Sequence, residues 1–139
     1  MAAAKYPEVV VGLFIRNASG QILLVRSYKW PGKWVVMGGH IEFGESISAA
    51  CAREAIEELS LGVTFKHVIE VVEFIDNPEF HEKGRHLVGL QSECFTKSDK
   101  FTIDNDEIQE AKWFSLEEAL KLNVLDVTRK TIKKLAGRG

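Results

Sequence analysis

Apolar residues near the start of the chain form two short segments that predict a β-hairpin. Val9–Ile15 and Gln21–Arg26 are rich in the β-branched and aliphatic residues that strands favour. Between them, Asn17–Gly20 reads Asn-Ala-Ser-Gly, and these residue types are typical of turns. The pattern therefore predicts two antiparallel strands joined by this turn.

A further apolar segment leads into the helix that the pattern predicts most clearly. Residues 34 to 37 are a short apolar strand, and Gly38–Gly39 after it indicates close approach of the backbone to another group. A loop is predicted from there to Glu45. Ser46–Leu59 contains neither Gly nor Pro and is rich in Ala, and Ser46 is a residue type that caps helices. We expect a helix over this range.

The rest of the pattern predicts three more strands and two more helices. The strands are Val63–Ile75, His86–Thr96 and Ile108–Phe114, with a polar loop over 77–84 between the first two. Ser115–Glu118 reads Ser-Leu-Glu-Glu, a capping-box pattern that opens a helix, and a last helix is expected over roughly Val127–Leu135. This order of elements predicts an α/β fold in which helices flank a mixed sheet.

The size and composition of the chain are those of one globular domain. It has 139 residues, of which 45% are hydrophobic and 27% are charged. That balance supports a core and leaves little material for a disordered tail. We therefore expect a single domain over residues 1–139.

The charge balance excludes a general surface for binding polyanions. Eighteen Lys and Arg residues against twenty Asp and Glu give a formal net charge of -2, so no long-range positive field gathers long nucleic acids.

The sequence also predicts a cytoplasmic protein. No apolar run approaches the roughly 20 residues that span a bilayer, and Met1–Lys5 lacks the apolar segment of a signal peptide. Cys51 and Cys94 lack metal-ligand spacing and are expected to be buried thiols.

Three glutamates on the first predicted helix are the strongest candidates for chemistry. Glu54, Glu57 and Glu58 stand at positions i, i+3 and i+4 and so share one helix face. Like charges at this spacing cost stability unless cations fill the cluster, and hard divalent cations prefer oxygen ligands of this kind. A second, apolar stripe is expected to pack on the sheet: Ile47, Cys51, Ala55 and Leu59.

A solvated acidic face, with Arg53 paired to Glu57 four residues later, is the simpler interpretation of these charges. The glutamates, however, follow a glycine pair and a short loop. A merely soluble surface does not need that arrangement. A metal site is therefore the favoured interpretation.

The same residues resemble the signature of the Nudix hydrolases, G-x5-E-x7-R-E-U-x-E-E-x-G-U, in which U is a bulky aliphatic residue. Seven positions match at the required spacing: Gly39, Glu45, Arg53, Glu54, Glu57, Glu58 and Leu61. Such a match is far more specific than a lone glycine motif. Trp34 before the signature and the residues from Glu107 to Glu118 after it also resemble the family, so the likeness covers most of the chain.

The resemblance implies a Nudix-type α/β/α sandwich with a mixed sheet and a loop-helix-loop catalytic motif, in which water attacks phosphorus beside bound Mg²⁺ or Mn²⁺. The metal ligands it implies are the side chains of Glu54, Glu57 and Glu58 and the backbone carbonyl of Gly39. Glu54, Arg53 and Glu57 are the expected catalytic residues, and Glu54 is alternatively the general base. Arg53 is expected to pair with Glu45, a structural residue of the motif, and so to orient Glu54; a plain surface salt bridge is the other interpretation.

Two positions depart from the signature. Ala55 stands where a bulky aliphatic residue is usual, and Ser60 stands where Gly is expected. Neither departure removes a carboxylate, so we expect activity to survive. A left-handed Ser60 would cost on the order of 1 to 2 kcal/mol, whereas Gly62 could end the helix without strain. We therefore expect Ser60 to be helical and Gly62 to end the helix.

The resemblance implies a further ligand or base from the acidic segment near the start of the last predicted strand. This segment contains Asp104, Asp106, Glu107 and Glu110. Most of these are expected to be solvated, and Glu107 or Glu110 is the candidate exception. Trp34 is expected in the core rather than as a platform for a base, while His40 and His86 are as readily surface histidines as phosphate contacts.

The signature leaves the substrate open among a nucleoside triphosphate, ADP-ribose, a nucleotide sugar and a dinucleoside polyphosphate. A catalytically silent domain that senses a nucleotide is the alternative function, and the presence of every glutamate disfavours it. We expect a small nucleotide substrate, Mg²⁺ or Mn²⁺ as cofactor, and neither long nucleic acid nor membrane as partner. A monomer and a homodimer both stay open.

Overall fold

The computed structural model describes residues 5–77, 84–103 and 106–137. Within these residues the strands are β1 Glu8–Arg16, β2 Ile22–Ser27, β3 Trp34–Val35, β4 Met37–His40, β5 Thr64–Ile75, β6 His86–Phe95 and β7 Ile108–Phe114. The helices are α1 Ile47–Leu59, α2 Leu116–Leu120 and α3 Asp126–Gly137. No helix in this part of the chain is both long and apolar enough to cross a membrane.

Strand β1 lies at the centre of a mixed sheet whose order is β3-β2-β1-β6-β5, with β4 also paired to β1 and β7 to β2. It runs parallel to β6 along its whole length and antiparallel to β4 and β2. Strand β5 pairs antiparallel with β6, and β7 with β2. The sheet is therefore mixed, as the order of elements predicts.

Successive residues of β1 point to opposite faces of the sheet and so contribute to two separate cores. Leu13 and Ile15 are buried on the face that carries α1, where they belong to the same cluster as Cys51. Phe14, between them in sequence, is buried on the other face with Ile132 of α3. The sheet is thus the middle of three layers, and the predicted α/β/α sandwich is confirmed.

The glycine pair belongs to a strand, so the prediction that a loop starts there is wrong. In β4, Gly38 and Gly39 lie opposite Gly12 and Val11 of β1. A side-chain carbon at Gly38 would stand 2.1 Å from the carbonyl oxygen of Val11, far inside contact distance. The pair does provide close approach of the backbone, and the chain uses it to lay β4 against β1 before the loop begins at Ile41.

The other predicted elements are present with small shifts at their ends. The predicted strand over 34–37 is divided between β3 and β4, and α3 begins one residue earlier and ends two residues later than predicted. In the hairpin turn, the side-chain oxygen of Asn17 accepts hydrogen bonds from the backbone N–H groups of Ser19 and Gln21. Residues 78–83 of the predicted polar loop lie outside the described residues.

The two predicted helix caps, at Ser46 and Ser115, are confirmed. The hydroxyl of Ser46 accepts a hydrogen bond from the backbone N–H of Ala49 at 3.0 Å, and α1 begins at the next residue. Ser115 accepts from the N–H of Glu118 at 3.0 Å, while the Glu118 carboxylate accepts from the N–H of Ser115 at 2.9 Å, the two bonds of a capping box. Each bond satisfies a donor that has no partner within the helix.

The end of α1 corrects the prediction that Ser60 is helical and that Gly62 ends the helix. Ser60 has φ 51° and ψ 35°, in the left-handed region, and its N–H donates to the carbonyl of Ile56 at 3.0 Å. In a continued helix Leu61 would stand two residues after the buried Leu59 and so on nearly the opposite face. The reversal at Ser60 instead buries Leu61, which is 1% exposed, and this burial offsets the strain.

We expect Ser60→Gly to raise the free energy of unfolding by about 1 kcal/mol, because glycine adopts the left-handed region without a steric cost. The thermal midpoint should rise by roughly 2 to 5 °C. Ser48→Gly is the matched control in the same helix: Ser48 is helical and exposed, so glycine there should destabilise by about 0.5 kcal/mol or less. A midpoint that falls in Ser60→Gly as well would contradict a strained Ser60.

Candidate active site

Burial of one stripe of α1 directs its acidic face toward β4. Cys51, Ala55 and Leu59, three of the four residues of the predicted stripe, are fully buried against the sheet and fix the rotation of the helix. The carboxylate of Glu54 then lies over Gly39: a side-chain carbon at Gly39 would stand 1.9 Å from Oε1 of Glu54 and 2.5 Å from its Cδ. A larger residue at position 39 would displace the Glu54 carboxylate from this position.

Arg53 ties the loop before α1 to the helix. Its Nε donates to Oε2 of Glu45 at 2.6 Å and its Nη2 donates to Oε1 of Glu45 at 2.9 Å, the two-bond geometry that favours Arg over Lys. The same Nη2 donates to the backbone carbonyl of His40 at 2.9 Å. Hydrogen bonding to Arg53 lowers the pKa of Glu45 to about 2, and the pairing of these two residues is as predicted.

Arg53 also contacts two of the three candidate ligands. Its Nη1 donates to Oε1 of Glu57 at 3.0 Å and lies 3.4 Å from Oε1 of Glu54. The simpler interpretation, an ion pair between positions i and i+4, is therefore present together with the bond to Glu45. One guanidinium holds the loop, the end of β4 and the start of the acidic face in a fixed relation.

Burial and like charges disfavour the ionised forms of Glu54 and Glu58. Burial is the largest cause that raises the pKa of Glu58 to about 7, followed by the charges of Glu54, Glu107 and Glu57. Burial likewise raises the pKa of Glu54, against the opposing effect of Arg53. Two carboxylates in this condition form a site that a cation would stabilise.

One of the two candidates outside the signature reaches this cluster. Glu107 and Glu58 line a common cavity of about 130 Å³, and the charge of Glu107 contributes to the raised pKa of Glu58. Glu110 lies on β7, is ion-paired with Arg26 at 3.6 Å and lines a separate cavity. The structure therefore favours Glu107 over Glu110, while Asp104 lies outside the described residues.

A second cavity, of about 230 Å³, adjoins the first. The two share the lining residues Lys29, Trp30, Val36, Met37 and Gly38. The second is lined further by Gly39, His40, Phe74 and Arg85, among others. Carboxylates thus line one part of the combined surface, and basic and aromatic side chains line the other. That polarity suits an anionic ligand that also contacts a cation.

The sequence pattern did not identify the ion cluster at the rim of the second cavity. Arg85 Nε donates to Oε2 of Glu8 at 3.0 Å, and Nε2 of His40 lies 2.7 Å from Oε1 of Glu8. Hydrogen bonds from Arg85, and then from His40, lower the pKa of Glu8 to about 2. Glu8 is 32 residues from His40 and 77 from Arg85, so no local spacing connects them. Lys29 and Trp30 belong to no motif or predicted element, so the sequence pattern did not identify them either.

The remaining predicted residues lie outside the carboxylate cluster. The ring of Trp34 packs edge-on against Phe114 with centroids 5.0 Å apart, so it belongs to the core as predicted. His86 lies 3.7 Å from Glu73 and lines neither of the two cavities. Cys51 and Cys94 are free and buried, which confirms their predicted state.

The candidate ligands are oxygen atoms of the type that hard divalent cations prefer, although the carboxylates are not all directed to one common position. Among the described residues, no three His, Cys, Asp or Glu side chains are gathered into a ready metal cluster, and Glu57 is directed to Arg53. The carboxylates of Glu54 and Glu58 are nevertheless hard oxygen ligands in a crowded, partly desolvated position, with Glu54 over Gly39. The residues therefore fit Mg²⁺ or Mn²⁺.

The NUDIX domain family model matches residues 6–135 of the chain. The chain is 31% identical over 121 residues to an ADP-ribose pyrophosphatase of Bacillus subtilis, an alignment that covers 85% of this chain and 63% of that protein. It is 30% identical over 111 residues to the nucleoside triphosphatase NudI of Salmonella schwarzengrund, covering 74% of this chain and 76% of that protein.

Several relatives are longer than this chain, and the solved structures share its fold. The chain spans 37%, 63% and 38% of the lengths of three curated relatives. A MutT protein from Methanosarcina mazei Go1 matches it with a TM-score of 0.76 at 23% identity, over 98% of each chain. At that identity the likeness shows the fold alone.

Proposed function

The chain belongs to the Nudix hydrolase family, and from that premise we propose that it is a metal-dependent pyrophosphohydrolase that acts on a nucleoside diphosphate derivative. The bond broken is a phosphoric anhydride. Water adds to one phosphorus, the other phosphate leaves with the bridging oxygen, and two phosphorylated products result.

The observation that carries this proposal is the position of Glu54 and Glu58. Both carboxylates are held in a crowded, partly desolvated cluster, with Glu54 over Gly39 and Glu58 beside Glu107. Such a cluster costs stability in the absence of a cation. A chain that needed only a soluble helix face would not require Gly39 for Glu54 or a two-bond contact between Arg53 and Glu45.

We assign the role of metal ligands to Glu54, Glu58 and the backbone carbonyl of Gly39, and Glu57 joins them when its carboxylate leaves Arg53. When bound, Mg²⁺ or Mn²⁺ would neutralise diphosphate oxygens and make a coordinated water more acidic. Each ligand candidate is an oxygen of the hard type that these cations prefer.

Arg53 and the acidic side chains have distinct proposed roles in the reaction. Arg53 is a positioning residue, because its bonds to Glu45 and to the carbonyl of His40 fix the loop relative to Glu54. The proton of the attacking water goes to a carboxylate, either Glu54 or Glu107. The two differ in surroundings: Glu54 is mostly buried beside Arg53, whereas Glu107 is exposed at the cavity edge.

The two adjoining cavities support a nucleotide as the ligand. Phosphates placed beside Glu58 would be near the proposed cation, and the rest of the molecule would extend along Trp30 toward Phe74 and Arg85. Aromatic and basic side chains of this kind bind bases and phosphates. Two relatives are named for ADP-ribose and nucleoside triphosphate hydrolysis, and both substrates contain the anhydride bond.

A panel of nucleoside diphosphate derivatives, incubated with Mg²⁺ or Mn²⁺ and with products identified by mass, tests the function. It should include ADP-ribose, nucleoside triphosphates, nucleotide sugars and dinucleoside polyphosphates. We expect at least one to be cleaved between two phosphorus atoms, with the oxygen of labelled water in one phosphate product. Binding of these compounds without any product would instead support the silent, nucleotide-sensing domain.

A further inference from the structure

A groove of about 880 Å³ lies on the far side of the sheet from the carboxylate cluster. It is lined by Arg16, Lys66, His67, Ile69, Glu93, Leu116, Lys134, Leu135 and Ala136. Arg16 is five residues along β1 from Val11, the partner of Gly39, which is roughly 17 Å of strand. Arg16 also shares the β1 face of Phe14, which packs on α2 and α3. A substrate held at Gly39 does not occupy this groove.

The floor of the groove is an ordered chain of charged groups. Glu93 is 6% exposed, and its Oε2 accepts from Nη1 of Arg16 at 3.1 Å while its Oε1 lies 2.9 Å from Nε2 of His67. Nε of Arg16 donates to the carbonyl of Gly20 at 3.0 Å. Burying the Glu93 carboxylate costs free energy of desolvation, which an apolar side chain at this position would not cost. The arrangement fixes Arg16 and His67 at the bottom of the groove.

A second ion cluster fixes one side of the groove. Nζ of Lys134 lies 2.9 Å from Oε1 of Glu70, and the hydroxyl of Thr131 donates to Oε2 of the same carboxylate at 2.5 Å. Lys134 is therefore both neutralised and held in place on α3. The two carboxylates together balance Arg16 and Lys134.

Positive charge remains after these pairs are counted. Nζ of Lys66 lies 4.9 Å from the ring centroid of Phe95 and, within the described residues, has no carboxylate partner. Of the Arg16 donors, Nη2 makes no hydrogen bond to the described residues. Lys66, Nη2 of Arg16 and the exposed edge of His67 thus leave donors and positive charge in the groove lining.

Part of the groove lining is apolar. It consists of Ile69 on β5, Leu116 at the start of α2, and Leu135 and Ala136 near the end of α3. A groove whose lining combines donors and positive charge with aliphatic side chains is complementary to an amphipathic anion. Among the described residues no Phe, Tyr or Trp side chain lines it, so a planar base has no large aromatic surface on which to stack.

We propose that this groove binds a small amphipathic anion, with its phosphate or carboxylate at Lys66, His67 and Arg16 and its aliphatic part against Ile69, Leu116 and Leu135. The site is separate from the one proposed for hydrolysis, and its existence does not depend on that function. The anionic group meets fixed donors, and the aliphatic part loses contact with water.

Binding to the full chain can be measured by calorimetry and by backbone amide shifts, with octyl phosphate, octanoate, inorganic phosphate and octanol as probes. We expect one or both amphipathic anions to bind and to shift amides of the groove residues. Inorganic phosphate lacks the apolar part and octanol lacks the charge, so each should bind at least about tenfold more weakly. Octyl phosphate and octanoate compared with each other identify the preferred head group.

Two sets of variants test the location. Lys66→Glu should lower the affinity for the anion by about tenfold or more. Lys100→Glu makes the same charge change at an exposed lysine outside the groove lining, and it should leave the affinity unchanged. At the exposed Ala136, Ala136→Glu should weaken binding and Ala136→Lys should not, and neither substitution disturbs the core. Equal binding by both Ala136 variants, shifts spread outside the groove, or octanol as strong as octanoate would overturn the proposal.

Discussion

Hydrolysis by this chain is expected to require added Mg²⁺ or Mn²⁺ and to fall to background when a chelator is in excess. The physical reason is the electrostatics of the proposed site, where burial and neighbouring carboxylates disfavour the ionised forms of Glu54 and Glu58. Arg53, the cation in contact with Glu54, is already bonded to Glu45 and Glu57. It cannot supply two positive charges at bonding distance from phosphate oxygens.

The measurement is the initial rate on the best substrate of the panel, with protein first shown to be free of metal. Addition of chelator should stop turnover, and Mg²⁺ or Mn²⁺ beyond the chelator should restore it. The thermal midpoint should rise with metal in the parent, because the cation binds the folded state. Full turnover by verified metal-free protein in excess chelator would sink the proposed chemistry.

Local sequence predicted helix α1 because the determinants of that helix are themselves local. The cap at Ser46, the absence of Gly and Pro and the spacing of Cys51, Ala55 and Leu59 all act within a few residues of one another. The same holds for the capping box at Ser115. Once the apolar stripe is buried, the direction of the acidic face follows from helix geometry alone.

The features that sequence did not predict depend on contacts between distant segments. Ser60 is left-handed because the next residue, Leu61, is buried under the sheet, a tertiary contact that outweighs the local preference for Gly62. Glu107 and Glu110 have the same side chain three residues apart, and only the pairing of β7 with β2 directs Glu110 to Arg26. Without that strand register, the sequence alone could not tell which of the two glutamates lies near Glu58.

The largest effects of substitution are expected at Glu58. Glu58→Gln keeps the size of the side chain and exchanges a carboxylate for a weaker neutral ligand, so at limiting metal the rate should fall by about 100-fold or more. The fold should be retained, since the change removes a half-buried group whose ionised form is opposed by Glu54, Glu57 and Glu107. Thermal unfolding without metal should show an unchanged or higher midpoint.

Glu57→Gln should also lose rate by orders of magnitude, but its stability should change in the other direction. Glu57 is half exposed and bonded to Arg53 at 3.0 Å, so its loss should cost about 0.5 kcal/mol or less. Glu110→Gln is the matched control, the same chemical change on a residue that pairs with Arg26 away from the cluster, and its rate should match the parent. Saturating metal should partly restore the rate of a variant that has lost a ligand.

Two outcomes would contradict the proposed ligand set. Near-parental turnover of Glu57→Gln or Glu58→Gln at limiting metal would remove that residue from the set. A loss of rate in Glu110→Gln as large as theirs would mean that the acidic face of α1 is not where the metal binds.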